Sequence, residues 1–350
     1  MRKYLLGEKG KFYKTNLHCH SIKSDGLMTV AQMKETYKEM GYDIVAFSYH
    51  DALNCNYDEL TDENFMALTA YEISIRSDDD PTPHAFRKLQ DLNLISKTPY
   101  NMTQIGYHPE SVQWLIDRGK MTQEEVDAIQ YAGELRDMHY YPANINKIIK
   151  SANENGFLVM INHPGWNLLN YNDYGCYEGA WAIEIYNHAC FRSGLPDAEW
   201  VYNDYLRSGK YMYVVAADDC HDTSTPSKIG GYIMLEADKL EYASAIEALE
   251  AGKFYASTGP EIHEMYYEDG FIHIQCSPCV DICMTTLGRR GKRVAAPEGE
   301  TLTEASFEID PELYGLVFFR LNDARGKRAW TNAYYVDELD ERFEKRRVIL

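Results

Sequence analysis

Four short apolar runs punctuate the first 250 or so positions: "DIVAFS" (43–48), "FLVMIN" (157–162), "WAIEIY" (181–186) and "MYVVAA" (212–217). Each is rich in β-formers and nearly continuous in apolar character, as strands covered on both faces are. Between them, apolar positions recur at helical spacing. Val30, Met33, Tyr37 and Met40 share one face, Ile145, Ile148, Ile149 and Ala152 a second, and Ala198, Val201, Tyr202, Tyr205 and Leu206 a third. Gly41, Gly156 and Gly209 then stand where helix C-terminal caps are expected. Strand–helix alternation of this kind predicts βαβ units, and so a parallel sheet or barrel of the α/β class.

The rhythm breaks twice. Between about 86 and 141 it lapses, although "MTQEEVDAIQ" predicts a helix with Thr122 as N-cap and Glu125 completing a capping box. This stretch reads as an insertion over one end of the barrel, a candidate lid. After "FYASTGPEI" the period changes to two. "FIHIQCS", "ASFEID" and "LVFFRLN" alternate between turn-rich "EDG", "RRGK" and "NDARGK". That pattern predicts a small antiparallel β-sandwich-like domain over 259–350, behind a barrel domain over 1–258.

Composition alters this picture little. A chain of 350 residues with 45% hydrophobic and 25% charged residues is ordinary for a globular protein. The net charge of −19 speaks against broad binding to polymeric nucleic acid, which needs clustered Lys and Arg. Anionic small molecules remain acceptable where bound cations invert the local charge. The N-terminus carries no apolar signal core, and no run approaches the roughly 20 residues of a membrane span, so a cytoplasmic protein without a membrane partner is expected. The 8 cysteines are scattered and read as reduced thiols. Cys276, Cys279 and Cys283 in "CSPCVDIC" lack the fourth ligand of a structural zinc site and read as buried residues. The 28 tyrosines form no ladder or stripe.

The candidate chemistry begins in "LHCHSIKSDG". His18, His20 and Asp25 follow what reads as a strand, and alone they fit a metal site and ordinary strand-end polarity equally well. His50 and Asp51 follow the run 43–48, Glu72 lies in "LTAYEIS", His163 follows 157–162, and Asp219 and His221 follow 212–217. Catalytic groups of a βα barrel converge from the C-terminal ends of different strands, and packing alone does not explain so regular a placement. Mixed His and carboxylate ligands suit zinc, manganese or iron. No side-chain nucleophile motif of the GxSxG kind is present.

Taken in order, "LHCHSIKSDG", "FSYHD", "YEIS", "INHPGW" and "ADDCHD" resemble the successive motifs of the PHP (polymerase and histidinol phosphatase) domain over about 12–258, the insertion apart. The resemblance implies a distorted seven-stranded βα barrel with two or three divalent ions at its C-terminal face. Carried over by position, it makes His18, His20, Asp25, His50, Glu72, His163, Asp219 and His221 metal ligands, with Glu72 bridging two ions. His84, in "PTPHAFRKL", fills the remaining histidine place, and Tyr49 stands where the family usually has aspartate. A third ion would fall to Asp25, His50 and His221. "GKFYASTGPEI" followed by a β domain resembles the carbaryl hydrolase-like, two-domain branch.

The activity so implied is hydrolysis of a small-molecule phosphomonoester or phosphodiester by a hydroxide held on the metals. Glu72 and His221 act at the centre, and Asp51 serves as a proton donor or as support behind the ligands. The same hydroxide could instead attack a carboxylic ester, carbamate or amide, or the barrel could be a metal-containing binding module. Asn187, His188 and Arg192 follow a further strand and are candidates for substrate contact, Arg192 as a phosphate ligand, with a structural role equally open. His108, His139, His263 and His273 carry no placement signal. Cys19, between two ligands, is expected to point away from the centre.

Overall fold

The computed structural model describes residues 2–8, 10–77, 80–224 and 226–343. Twelve strands precede residue 258: β1 (Lys3–Leu6), β2 (Lys11–Asn16), β3 (Ile44–His50), β4 (Met66–Arg76), β5 (Leu89–Ser96), β6 (Thr103–Ile105), β7 (Gln130–Ala132), β8 (Phe157–Ile161), β9 (Ala182–Asn187), β10 (Tyr213–Ala217), β11 (Tyr232–Ala237) and β12 (Phe254–Ser257). Eight follow: β13 (Ile262–Glu268), β14 (Phe271–Cys279), β15 (Asp281–Thr286), β16 (Lys292–Ala295), β17 (Leu302–Glu308), β18 (Leu316–Asn322), β19 (Arg328–Thr331) and β20 (Tyr334–Tyr335). The helices are α1 (Val30–Glu39), α2 (Tyr57–Leu60), α3 (Pro109–Asp117), α4 (Gln123–Asp127), α5 (Pro142–Glu154), α6 (Tyr171–Tyr174), α7 (His188–Arg192), α8 (Glu199–Arg207) and α9 (Tyr242–Glu250).

The expected helix faces are the buried ones. Val30, Met33 and Tyr37 of α1, Ile145, Ile148, Ile149 and Ala152 of α5, and Val201, Tyr202, Tyr205 and Leu206 of α8 all pack inward. Thr122 and Glu125 form the reciprocal capping box of α4. Gly41, Gly156 and Gly209 close α1, α5 and α8 with φ of 75°, 81° and 76°, the left-handed region where a side chain is penalised.

A large mixed sheet dominates, with strand order β10-β9-β8-β5-β4-β3-β2-β11-β12-β19-β18-β15-β16 and β20 beside β18. It differs from a regular barrel, and refines the expected distorted seven-stranded βα barrel, in two respects. First, β5 runs antiparallel to both β4 and β8. The link from β4 to β5 holds only a three-residue 3₁₀ turn, His84–Phe86, among its described residues. A parallel return is usually made through a crossover helix, and the described part of this link holds none, so the chain comes back antiparallel. β5 therefore occupies a place in the large sheet although it lies inside the stretch 86–141.

Second, the sheet curls without closing. Between the extensions of β10 and β2 the described residues form one isolated parallel bridge, Cys19 with Cys220. Asp219 N donates to His18 O at 3.0 Å and His20 N to Cys220 O at 2.9 Å. These bonds fall on the residues that carry the candidate ligands. Cys19 points away from them, as expected, into the layer of Met33, Tyr37 and Phe47 beneath α1.

Beyond β12 the large sheet continues through strands from the last part of the chain. β12 pairs with β19 through Tyr255↔Thr331, Ala256↔Trp330 and Ser257↔Ala329. A second sheet, β1-β13-β14-β17, lies over this end, and Leu6, Ile272, Ile274, Phe307, Phe319 and Leu321 share one apolar cluster. β1, from the N-terminus, pairs with β13. Trp330 sits at the seam, with its Nε1 donating to Glu199 Oε2 at 2.9 Å and its ring 6.2 Å from that of Tyr186. Truncating so large a buried side chain leaves a cavity and removes one of two donors to Glu199 Oε2, which keeps Arg320 Nη1 at 2.8 Å. Trp330→Ala is therefore expected to cost about 3–5 kcal/mol in urea unfolding; a loss below about 1 kcal/mol would show the seam to be unimportant to stability.

Candidate metal centre

The strand ends bring the titratable residues to one place. His18 and His20 come just after β2, His50 ends β3, and Glu72 lies within β4 directly opposite His50. His163 follows β8, and Asp219 and His221 follow β10. Asp51 and Asp219 adopt φ of 52° and 51°, and His163 adopts 20°. Three non-glycine residues in or at the edge of the left-handed region, each just past a strand, is the kind of strain that folds retain at working sites. It turns the chain sharply, so that consecutive side chains leave the strand direction and face the centre.

Three groups of potential ligand atoms result: His18, Glu72 and His163; His18, His20 and Asp219; and His20, Asp25, His50 and His221. His18 Nε2 and His20 Nε2 are 3.2 Å apart. Both approach Glu72 Oε2, at 3.4 and 3.3 Å, and Asp219 Oδ1, at 3.3 and 3.2 Å. His50 Nδ1 reaches the same Glu72 oxygen at 3.2 Å, while His163 Nε2 is 3.5 Å from Oε1. Asp25 Oδ2 receives His221 Nε2 at 3.2 Å and His50 Nε2 at 3.5 Å. Glu72 Oε2 and His20 Nδ1 are buried and make no hydrogen bond. Leaving a buried carboxylate oxygen unsatisfied is costly, and a cation is the partner that suits an acceptor facing several imidazole nitrogens. The residues present fit divalent metal.

Supporting groups fix this first layer. Glu184, within β9, places Oε1 2.6 Å from His18 Nδ1, and its Oε2 accepts from His163 N at 2.8 Å. That bond sets the tautomer leaving His18 Nε2 free to ligate. Asn162 Nδ2 donates to Glu72 Oε1 at 2.6 Å, and Asn187 Nδ2 donates to Asp219 Oδ2 at 3.2 Å and Glu184 Oε2 at 3.0 Å. Asp218 turns the other way and accepts from Gly230 N and Gly231 N at 2.6 and 2.7 Å, tying down the following loop. A Cβ on Gly231 would lie 2.3 Å from Ala217 O, so the close approach requires glycine.

The electrostatics of the metal-free chain follow from this crowding. Burial works to lower the pKa of His18, but Asp219, Glu184 and Glu72 outweigh it, and the result is well above the ordinary value. His163 is raised to about 9 against its own burial, by a hydrogen bond to Glu72 and the charges of Asp219, Glu184 and Asp91. Burial works to raise the Glu72 carboxyl, yet His50, His18 and His163 hold it well below the usual range. Asp91 is pushed up to about 6, by burial and then by the like charge of Glu72.

Two expectations change. His84 is exposed on its 3₁₀ turn and joins none of the three groups. Because β5 runs antiparallel, its first residues lie at the same end of the sheet as the strand termini. There buried Asp91, not His84, faces the centre, with Oδ2 3.9 Å from His163 Nε2 and Oδ1 without a partner. Of the proposed substrate contacts, Asn187 supports Asp219 and Glu184. His188 is engaged by Tyr186 OH at 2.8 Å and Ser227 O at 3.0 Å, and Arg192 is exposed. Asp51 is taken up by Arg136, whose Nη1 lies 2.6 Å from Oδ1. Asp91 and Arg136 lie in segments with no local signal, and Glu184 lies in the middle of an apolar strand rather than at its end.

A cavity of about 450 Å³ opens beside the third group and is lined by Asp25, His50, Asp51 and Trp114 among others. Among the described residues, no cysteine joins a potential metal group, and no helix is long and apolar enough to cross a membrane.

No protein-family model matches the chain, and no curated protein does. Among solved structures it is similar to a two-domain protein from Bacteroides vulgatus ATCC 8482 that contains a predicted PHP-like metal-dependent phosphoesterase. That pair has 12% identity and a TM-score of 0.42, over 96% of this chain and 98% of that one. It is also similar to Endonuclease Q bound to a 27-mer duplex with an abasic lesion, at 14% identity and a TM-score of 0.41, over 69% and 57%. An amidohydrolase from Chromobacterium violaceum, with bound sulfate and no metal, shares 15% identity at a TM-score of 0.36, over 69% and 96%. Likenesses this distant carry no argument about activity, and none of the three is described as a carbaryl hydrolase.

The geometry makes two predictions. Because His18 and His163 hold protons at neutral pH in the metal-free chain, ligation must expel them. Manganese or zinc titrated into the metal-free protein at pH 7 should release at least about one proton per centre, measured by calorimetry in buffers of different ionisation heat. Release should shrink as the pH passes about 9; a buffer-independent heat at pH 7 would refute the protonated state. Glu184→Gln removes the charge that orients His18 and should weaken metal binding by about 10–100-fold in competition with a chelating dye.

Proposed function

We propose that the chain is a metal-dependent hydrolase, and that its substrates are small phosphate esters. The observation that carries this reading is the convergence of His18, His20 and His50 nitrogens on one buried Glu72 oxygen that accepts no hydrogen bond. His18, His20, Glu72, His163 and Asp219 would hold one or two divalent ions, and Asp25, His50 and His221 a further one. Ions in those places supply Lewis acidity toward water and toward a phosphoryl oxygen. The residues of the PHP-like part, proposed as 1–258, do the rest.

Glu72, with Oε1 held by Asn162 and Oε2 facing His18, His20 and His50, would be the carboxylate shared between neighbouring ions. His221 pairs with Asp25, which lines the cavity, and with it would hold the further ion there. Asp51 is a positioning residue. Its ion pair with Arg136 and the bond from Gln104 Nε2 to its carbonyl, at 2.8 Å, anchor the segment 97–141 at the cavity wall. The appended strands 259–350 are proposed to act as a supporting β domain.

Purified protein loaded with manganese, zinc or iron is expected to release product from p-nitrophenyl phosphate or its bis ester. His18→Ala and Glu72→Gln should lower that turnover by about 100-fold or more and reduce the ion count by elemental analysis. Turnover of p-nitrophenyl acetate alone would replace the phosphoester reading with a carboxylic ester one. A protein that retains no ion would overturn the hydrolase reading as well.

A further inference from the structure

Asp91 is a buried carboxylate at the rim that belongs to none of the three ligand groups. The residue is 5% exposed, and its Oδ1 has no hydrogen-bond partner. β4 and β5 pair so that Ser74 lies opposite Asp91 and Glu72 opposite Asn93. Residues two apart on a strand share a face, so Asp91 stands on the same face of the sheet as Glu72, one diagonal step away. The main chain fixes it there. Its carbonyl accepts from the N–H of Asn162, the residue before His163, at 3.1 Å, and from Gln90 Nε2 at 2.7 Å.

His163 Nε2 is the atom on which this arrangement converges. Glu72 Oε1 stands 3.5 Å from it, Asp219 Oδ2 3.8 Å and Asp91 Oδ2 3.9 Å. Three largely buried carboxylates about one imidazole nitrogen repel one another unless a cation lies among them. A single N–H cannot serve three acceptors, and 3.9 Å is too long for a hydrogen bond. We infer that Asp91 is a further metal ligand, completing with His18, Glu72 and His163 a place richer in oxygen than the rest of the centre. The group of His20, Asp25, His50 and His221 offers three imidazoles and one carboxylate, a set that suits zinc. With Asp91 the group of His18, Glu72 and His163 offers two of each, which moves its preference toward a harder ion such as manganese. The inference rests on the centre being metal-binding and is independent of which ester is cleaved.

The test is metal binding by the full-length protein, with no substrate present. Manganese is titrated into the metal-free chain and followed by the electron paramagnetic resonance of the free ion, zinc is followed by competition with a chelating dye, and bound ions are counted by elemental analysis. Asp91→Asn keeps the shape of the side chain and should weaken binding of one manganese ion by about 100-fold or more, at or beyond the loss caused by removing an outer partner of a ligand. Asp91→His should hold the ion again, with a larger preference for zinc over manganese than the unaltered protein has. Thermal unfolding of the metal-free variants checks that the fold is intact. An asparagine variant that binds as many manganese ions as tightly as the unaltered protein would overturn the inference, since a mere counter-charge to His163 is not needed once metal is bound. A folded histidine variant no better than the asparagine one would also count against ligation. Zinc-loaded crystals of the unaltered protein give a check that needs no variant: anomalous scattering should place an ion about 2.0–2.2 Å from an Asp91 oxygen. An ion on His163 with Asp91 out of reach would strike this inference and leave the metal-dependent reading standing. A protein that takes up no ion would strike both.

Discussion

The structure depends on gathering histidine and carboxylate side chains at one end of a sheet, most of them out of contact with water. Bringing Glu72, Asp219 and Asp91 together in a medium of low polarity is unfavourable unless positive charge accompanies them. In the metal-free chain protonated histidines supply that charge, which is why His18 and His163 hold their protons so firmly. Metal ions can take over the same task. The centre is thus built to be neutralised by one kind of cation or another. Much of the surrounding polar network, from Glu184 to Asn162 and Asn187, keeps the ligands aimed inward while the counter-charge changes.

The sheet serves this requirement. Parallel strands deliver their C-terminal ends to one rim, and β5, the antiparallel member, delivers its beginning to the same rim instead. The open seam between β10 and β2 is bridged at Cys19 and Cys220, each of which sits between two ligand residues. This backbone bridge across the seam is therefore also the frame that spaces His18 and His20 against Asp219 and His221. Packing of Cys19 beneath α1 is in this sense part of the site's geometry.

Much of this was legible from the residues. Apolar strands ending in His, Asp or Glu betray a converging centre because period and polarity change at the same position, as they do at His50, His163 and Asp219. Segments in which polarity and burial disagree were not legible. β5 reads "LQDLNLIS", and its Gln90, Asp91 and Asn93 are polar yet buried, so the strand has the appearance of a loop. Glu184 is concealed inside an apolar run and Arg136 inside an irregular one. His84 stands just before that strand on an exposed turn, and the fold brings the carboxylate of Asp91 to the rim. The antiparallel course of β5 is hidden for a related reason, since direction of pairing depends on what the links contain and not on the strands alone.

The pairing of β12 with β19 has a consequence for how the chain is made. β12 has β11 on one side, but its other edge is covered by β19 and β1 is partnered by β13, so both strands keep an open edge until the last part of the sequence is in place. On a ribosome Phe254–Ser257 would emerge well before its partner, presenting an unpaired edge capable of joining another chain. A fragment ended at residue 258 would carry that edge permanently. The C-terminal strands are, on this view, the chain's own guard against sticking to its copies, whatever else they do.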